Sequence, residues 1–214
     1  MIKAVIFDMD GTLLDSLEDI ADSANAALAG LGYPVHPVED YKHFVGDGMS
    51  ALMGRVLPES AMSGLSQAVA AMMREYAGRW KVKSRPYPGV PELLDELVRL
   101  GVPLAVLSNK PDEFTKTIVG DIFARWPFAA AVGEGPGVIK KPDPSGARFI
   151  VREMGLEPAQ FLLVGDTPMD VQTALAAGMN PVAVAWGFRP EADLKAAGAK
   201  VIIKRPEDLI ELTR

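Results

Sequence analysis

Asp8 and Asp10 follow directly on the apolar run 4–7, Asp166 and Asp170 follow the run 161–164, and Ser108 and Asn109 follow the run 104–107. An acid at the end of a buried strand is costly unless it is paired or holds a cation. Three or four carboxylates gathered within a few ångströms cannot all stay ionised alone, because each like-charge contact costs roughly 4 kcal/mol at a surface-like dielectric. An all-oxygen donor set suits Mg2+, a hard ion that takes few protein ligands and keeps waters for a phosphate. Taken singly, each group has a structural reading: an acidic turn at 8–12, a helix cap at Ser108, a turn at Gly165-Asp166. Their joint occurrence in this order points to one site.

The elements that must position these groups are legible in the apolar pattern. The runs 4–7, 104–107 and 161–164 show no alternation, as strands buried on both faces should. From Glu92 onward such runs alternate with helical stretches, near 91–100, 111–124, 144–154 and up to Gly178, and further runs lie at 128–132, 182–185 and 201–203. The expected fold is α/β, a doubly wound and mostly parallel sheet, in which ligands bind beyond the carboxyl ends of the strands.

Residues 16–83 read differently. Ser16 opens a helix with Glu18 and Asp19 in its first turn, and apolar positions from Leu17 to Leu31 keep helical spacing until Gly32 and Pro34 stop them. The loop Phe44-Val45-Gly46-Asp47-Gly48 opens another helix, and a longer one carries Met62, Leu65, Val69, Met72, Met73, Tyr76 and Trp80, a stripe read as core packing. The Pro- and Gly-rich stretch 84–91 is the return linker. The expected organisation is a catalytic core of 1–15 and 84–214 with an all-helical cap, 16–83, inserted after the first strand.

Composition narrows the function classes. The 214 residues are 49% hydrophobic and 23% charged, which describes an ordered globular chain. A formal net charge of −6 argues against a nucleic-acid partner. There is no cysteine, so thiolate catalysis, disulfides and Cys-zinc sites are excluded, and the only histidines, His36 and His43, lack ligand spacing. No apolar run reaches membrane-spanning length and the first strand begins too early for a signal peptide, so the expected compartment is the cytoplasm. Monomer and homodimer are both compatible with the sequence.

In this order the motifs resemble those of the haloacid dehalogenase superfamily: Asp8-Met9-Asp10-Gly11-Thr12, then Ser108 after an apolar strand, then Lys141 directly before Pro142, then Gly165-Asp166-Thr167-Pro168-Met169-Asp170. The resemblance covers essentially the whole chain and implies phosphoryl transfer through an aspartyl-phosphate. It implies Asp8 as nucleophile and Asp10 as the acid that protonates the leaving oxygen and then activates water. It places the phosphoryl group against Ser108, the Asn109 backbone and the Gly11-Thr12 turn, with Lys141 offsetting its charge. Mg2+ would be held by Asp8, the carbonyl of Asp10 and Asp166, with Asp170 in support.

Within the superfamily the second aspartate, Asp10, favours phosphoryl chemistry over dehalogenation. A phosphonatase would need a Schiff-base lysine from the insertion, where Lys42 is the obvious candidate. Ser108-Asn109-Lys110-Pro111 and the loop 44–48 with Arg55 resemble phosphoglycolate phosphatases, whereas Trp186-Gly187-Phe188-Arg189 departs slightly from them. The expected reaction is Mg2+-dependent hydrolysis of a small phosphorylated metabolite, 2-phosphoglycolate first. Sugar-phosphate mutase, pyrophosphatase or nucleotidase activity is the alternative, and a non-catalytic binding protein the remaining one. Gly46, Asp47, Gly48 and Arg55 are the expected contacts for the carboxylate of phosphoglycolate.

Overall fold

Ala4–Phe7 forms β1, with every residue buried, and the chain then turns at Gly11, whose φ of 86° lies in the left-handed region that favours glycine. It continues through a two-residue strand, β2 (Leu14–Asp15). The computed structural model describes residues 1–214, which divide into two compact units: Met1–Leu14 with Pro86–Arg214, and Asp15–Arg85.

The unit Asp15–Arg85 is helical: α1 (Leu17–Gly30), α2 (Tyr41–Phe44), α3 (Gly48–Val56) and α4 (Leu65–Arg79), with 3-10 turns at Val38–Asp40 and Glu59–Gly64. Its core gathers buried apolar residues of α1 (Ile20, Ala24, Ala27, Leu28), α3 (Leu52, Met53) and α4 (Met72, Tyr76), with α4 packed against both α1 and α3. Two details differ from the sequence reading. Met62 falls in a 3-10 turn and is 41% exposed, so it is not part of the core stripe. Ser16 stands at the start of α1 but makes no side-chain cap; the buried Asp19 carboxylate instead accepts from Lys83 N, Ser84 N and Ser84 Oγ at 2.7–3.0 Å, tying the start of this unit to its end.

After β3 (Arg85–Pro86), the other unit resumes with α5 (Val90–Arg99), β4 (Leu104–Pro111), α6 (Asp112–Asp121), β5 (Phe128–Glu134) and α7 (Ser145–Met154). It ends with β6 (Phe161–Gly165), α8 (Pro168–Ala177), β7 (Asn180–Val184), α9 (Glu191–Ala196), β8 (Ile202–Ile203) and a 3-10 helix over Pro206–Leu212. Six strands pair in parallel in the order β5-β4-β1-β6-β7-β8. On one face Ala4, Ile6, Ala105, Leu107, Phe161 and Leu163 pack against Ala147 and Ile150 of α7 and Ala174 and Ala177 of α8.

Register decides what the sheet presents. Phe7 lies beside Val106 of β4 and Val164 of β6, so the same register carried one residue past the central strand sets Asp8 level with Leu107 and Gly165. Ser108 and Asp166 follow one residue later on either side. The strand order runs outward in both directions from β1, which makes this edge the topological switch point where open α/β sheets bind ligands. β4 also runs past its apolar run, through Ser108, Asn109 and Lys110 to Pro111, because β5 continues to pair with it up to Glu134 through a register shift.

Candidate active site

The C-terminal edge of the sheet gathers Asp8, Asp10, Ser108, Asn109, Asp166 and Asp170, joined by Lys141 from the loop before α7. Carboxylate oxygens of Asp8, Asp166 and Asp170 lie within 4.8 Å of one another, and all three residues are buried. Lys141 is buried with them, its Nζ 2.7 Å from Asp8 Oδ1 and 2.6 Å from Asp170 Oδ1. On a second approach, Lys110 of β4 places its buried ammonium 3.1 Å from Asp10 Oδ2.

Each carboxylate is fixed by its surroundings. Asp170, in the first turn of α8, accepts from Thr167 N at 3.0 Å and Thr167 Oγ1 at 2.6 Å through Oδ2, while Oδ1 receives Lys141. Asp166 accepts from Thr12 Oγ1 at 3.2 Å and from Phe188 N at 2.8 Å. The loop after β7 also sends Trp186 Nε1 to the carbonyl of Thr12 at 3.1 Å. Glycines keep the approach open: a Cβ on Gly11 would overlap the Asp166 carboxylate, and one on Gly187 would overlap Asp166 and the Gly11 carbonyl.

The remaining site residues of the sequence reading have definite partners. The Asn109 side chain pairs with the Lys141 main chain, accepting from its N–H at 2.6 Å and donating to its carbonyl at 3.0 Å. Ser108 Oγ accepts from Lys110 N at 3.2 Å. The amides of Gly11 and Thr12 donate within their own turn, to Leu14 O and Met9 O. In the helical unit, Arg55 donates to Phe44 O at 2.8 Å and pairs with Asp47, so its guanidinium braces the loop that contains Gly46, Asp47 and Gly48.

Electrostatics at the edge follow from burial. Burial pushes the Asp8 carboxyl well above the usual carboxylate range; the charges of Asp170 and Asp166 add to this and Lys141 opposes it. Asp166 is raised to about 7 by burial and then by the charge of Asp170. Burial alone would depress Lys141, but Asp170 and Asp8 together outweigh it and hold the ammonium charged.

The donor set fits a divalent cation. Four carboxylates (Asp8, Asp10, Asp166, Asp170) face two ammonium groups (Lys110, Lys141), so the fully ionised cluster carries two uncompensated negative charges. Protons or one hard dication of charge +2 restore neutrality, and all-oxygen ligation matches such an ion.

Lys110, Thr167, Gly187 and Phe188 stand inside motifs of the sequence reading but receive no role there. Lys110 stands in a polar triplet at a strand end, a place where a solvated lysine is equally ordinary; only its burial separates the two cases. Phe188 contributes a main-chain donor, which no side-chain pattern marks.

Residues 5–184 match the haloacid dehalogenase-like hydrolase family, and the chain belongs to it. It is an enzyme of the phosphatase type within that family. It is 37% identical over 196 residues to a phosphoglycolate phosphatase of Pseudomonas syringae pv. syringae, covering 87% of this chain and 70% of the relative. It is 32% identical over 218 residues to a phosphoglycolate phosphatase of Vibrio parahaemolyticus, covering 99% and 96%. A crystal structure of a provisionally named phosphoglycolate phosphatase from Lactobacillus delbrueckii superposes with a TM-score of 0.92 at 32% identity, covering 99% of this chain and 98% of that one. No helix of the chain is long and apolar enough to cross a membrane.

Proposed function

We propose that this phosphatase hydrolyses 2-phosphoglycolate with the help of Mg2+, by way of a phosphoryl group carried transiently on Asp8. The observation that carries the reading is the placement of Asp8: a buried carboxylate directly after the central strand, held by Lys141 and within 4.8 Å of Asp166 and Asp170. The choice of substrate is supported by the names of the relatives from Pseudomonas syringae and Vibrio parahaemolyticus, which cover most of the chain.

Asp8, Asp166 and the main-chain carbonyl of Asp10 would hold Mg2+, which offsets the charge of the phosphoryl oxygens. Asp170 acts from behind, since its oxygens are engaged by Lys141 and Thr167. Asp8 attacks phosphorus, the bond to the glycolate oxygen breaks, and Asp10 gives that oxygen its proton. Asp10 then takes a proton from a water that attacks the same phosphorus, releasing inorganic phosphate and restoring Asp8. Lys141, Ser108 and the Asn109 N–H offset or receive charge on the phosphoryl oxygens, while Gly11 and Thr12 shape the turn that orients Asp10 and Asp166.

A panel of phosphate monoesters, assayed with Mg2+ and with EDTA, tests the proposal. The expected result is the highest kcat/KM on 2-phosphoglycolate, lost in EDTA and regained with Mg2+. Equal turnover in EDTA contradicts the metal requirement, and a flat profile across the panel contradicts the substrate.

A further inference from the structure

We propose that Lys110 is the positioning residue for Asp10, holding its side chain where the protonated carboxyl group passes its proton to the leaving oxygen. The inference rests on the reading of Asp10 as the proton donor.

Lys110 stands on the last part of β4, and its side chain is only 3% exposed. Lysine is almost never so buried without a partner, and stripping water from its ammonium costs several kcal/mol. The partner is Asp10, 3.1 Å away, whose own side chain is 15% exposed. Stability is a poor reason to keep such a pair, since well-packed apolar residues of the same volume usually serve as well or better. Geometry is a better reason. Asp8 and Asp10 leave the same strand end separated only by Met9, which is fully buried. Lys141 binds Asp8 and Asp170, and a second ammonium, arriving from β4, binds Asp10. Two separate cations thus hold the two carboxylates apart, which keeps Asp10 from swinging towards Lys141 and competing for the partner of the nucleophile.

β4 is built to deliver this group. Ser108, Asn109 and Lys110 are consecutive, and each serves a different part of the edge: Ser108 Oγ receives the Lys110 amide, Asn109 clamps the Lys141 main chain, and Lys110 reaches Asp10. The register shift between Leu107 and Pro111 falls on this triplet, so three successive residues contribute where a regular strand would turn every second one to the other face.

Loss of orientation has a signature that loss of packing lacks. An alkoxide leaving group such as glycolate needs the proton; p-nitrophenolate leaves without it. Lys110→Met is therefore expected to lower kcat/KM on 2-phosphoglycolate by about 10²-fold while changing p-nitrophenyl phosphate by no more than about 5-fold, with Lys110→Arg recovering part of the difference. Asp10→Asn should discriminate between the two substrates in the same direction. The double variant Lys110→Met/Asp10→Asn should be no worse on 2-phosphoglycolate than Asp10→Asn alone. Equal losses of Lys110→Met on both substrates, or additive losses in the double variant, overturn the positioning role. If Asp10→Asn itself fails to discriminate, the proton-donor reading falls, and this inference falls with it.

Discussion

Nζ of Lys141 lies 2.7 Å from Oδ1 of Asp8, and the same ammonium reaches Asp170 at 2.6 Å, so one buried cation serves both carboxylates. Replacing it leaves two buried carboxylates without their shared partner. Lys141→Met is expected to lower kcat by about 10²–10³-fold on any phosphate ester, since charge on the transferring group is no longer offset. The metal-free variant should also lose about 3–5 kcal/mol in denaturant unfolding, the usual result of removing one member of a buried pair. Unchanged stability would mean that the carboxylates are held neutral in the metal-free protein.

Metal-free protein should be less stable at alkaline than at mildly acidic pH. The folded pKa of Asp166, about 7, lies above its unfolded value, so its contribution is full below pH ~4 and is lost as pH rises towards 7. Asp8 is raised in the same direction. Mg2+ bound as proposed would compete with those protons, and it should therefore raise Tm more at pH 8 than at pH 5.5. Thermal unfolding at both pH values, with and without Mg2+, checks the sign; equal shifts would contradict it.

Gly187 sits so close to Asp166 and to the Gly11 carbonyl that a methyl group has no room. Gly187→Ala must displace the Phe188 N–H that orients Asp166. The expected loss in Mg2+ affinity is about 10–100-fold, as for other residues that orient a metal ligand. Calorimetric titration with Mg2+ measures it, and unchanged affinity would remove Asp166 orientation from the role of this loop.

The sheet is legible in the sequence where it is because burial on both faces leaves no alternative to continuous apolar runs: β1, the first half of β4 and β6 announce themselves. Parallel pairing then brings Asp8 and Asp166 to one edge with no further information. The second half of β4 is hidden, because Ser-Asn-Lys-Pro carries no strand preference and only pairing with β5 keeps it extended. The 3-10 helix over Pro206–Leu212 is too short to show a period, although Leu209 and Ile210 are buried. In the site, side chains with marked chemistry are visible in advance, whereas the Phe188 amide and the burial of Lys110 are properties of the folded backbone alone.

Arg55 is expected to act locally, on the loop it holds. Its guanidinium reaches Phe44 O and Asp47, and Arg55→Ala frees both. Because the pair is partly exposed, the variant should lose no more than about 1 kcal/mol in denaturant unfolding. A loss of several kcal/mol would contradict so modest a bracing role.

The central claim is a covalent phosphoryl group on Asp8. The direct measurement is rapid acid quench of the enzyme turning over 32P-labelled 2-phosphoglycolate, followed by borohydride reduction and peptide mass analysis. The account predicts acid-stable label on the protein during turnover, conversion of Asp8 to homoserine, and no label on Asp8→Asn. Steady turnover with no label at any quench time, or label on a residue other than Asp8, would contradict it.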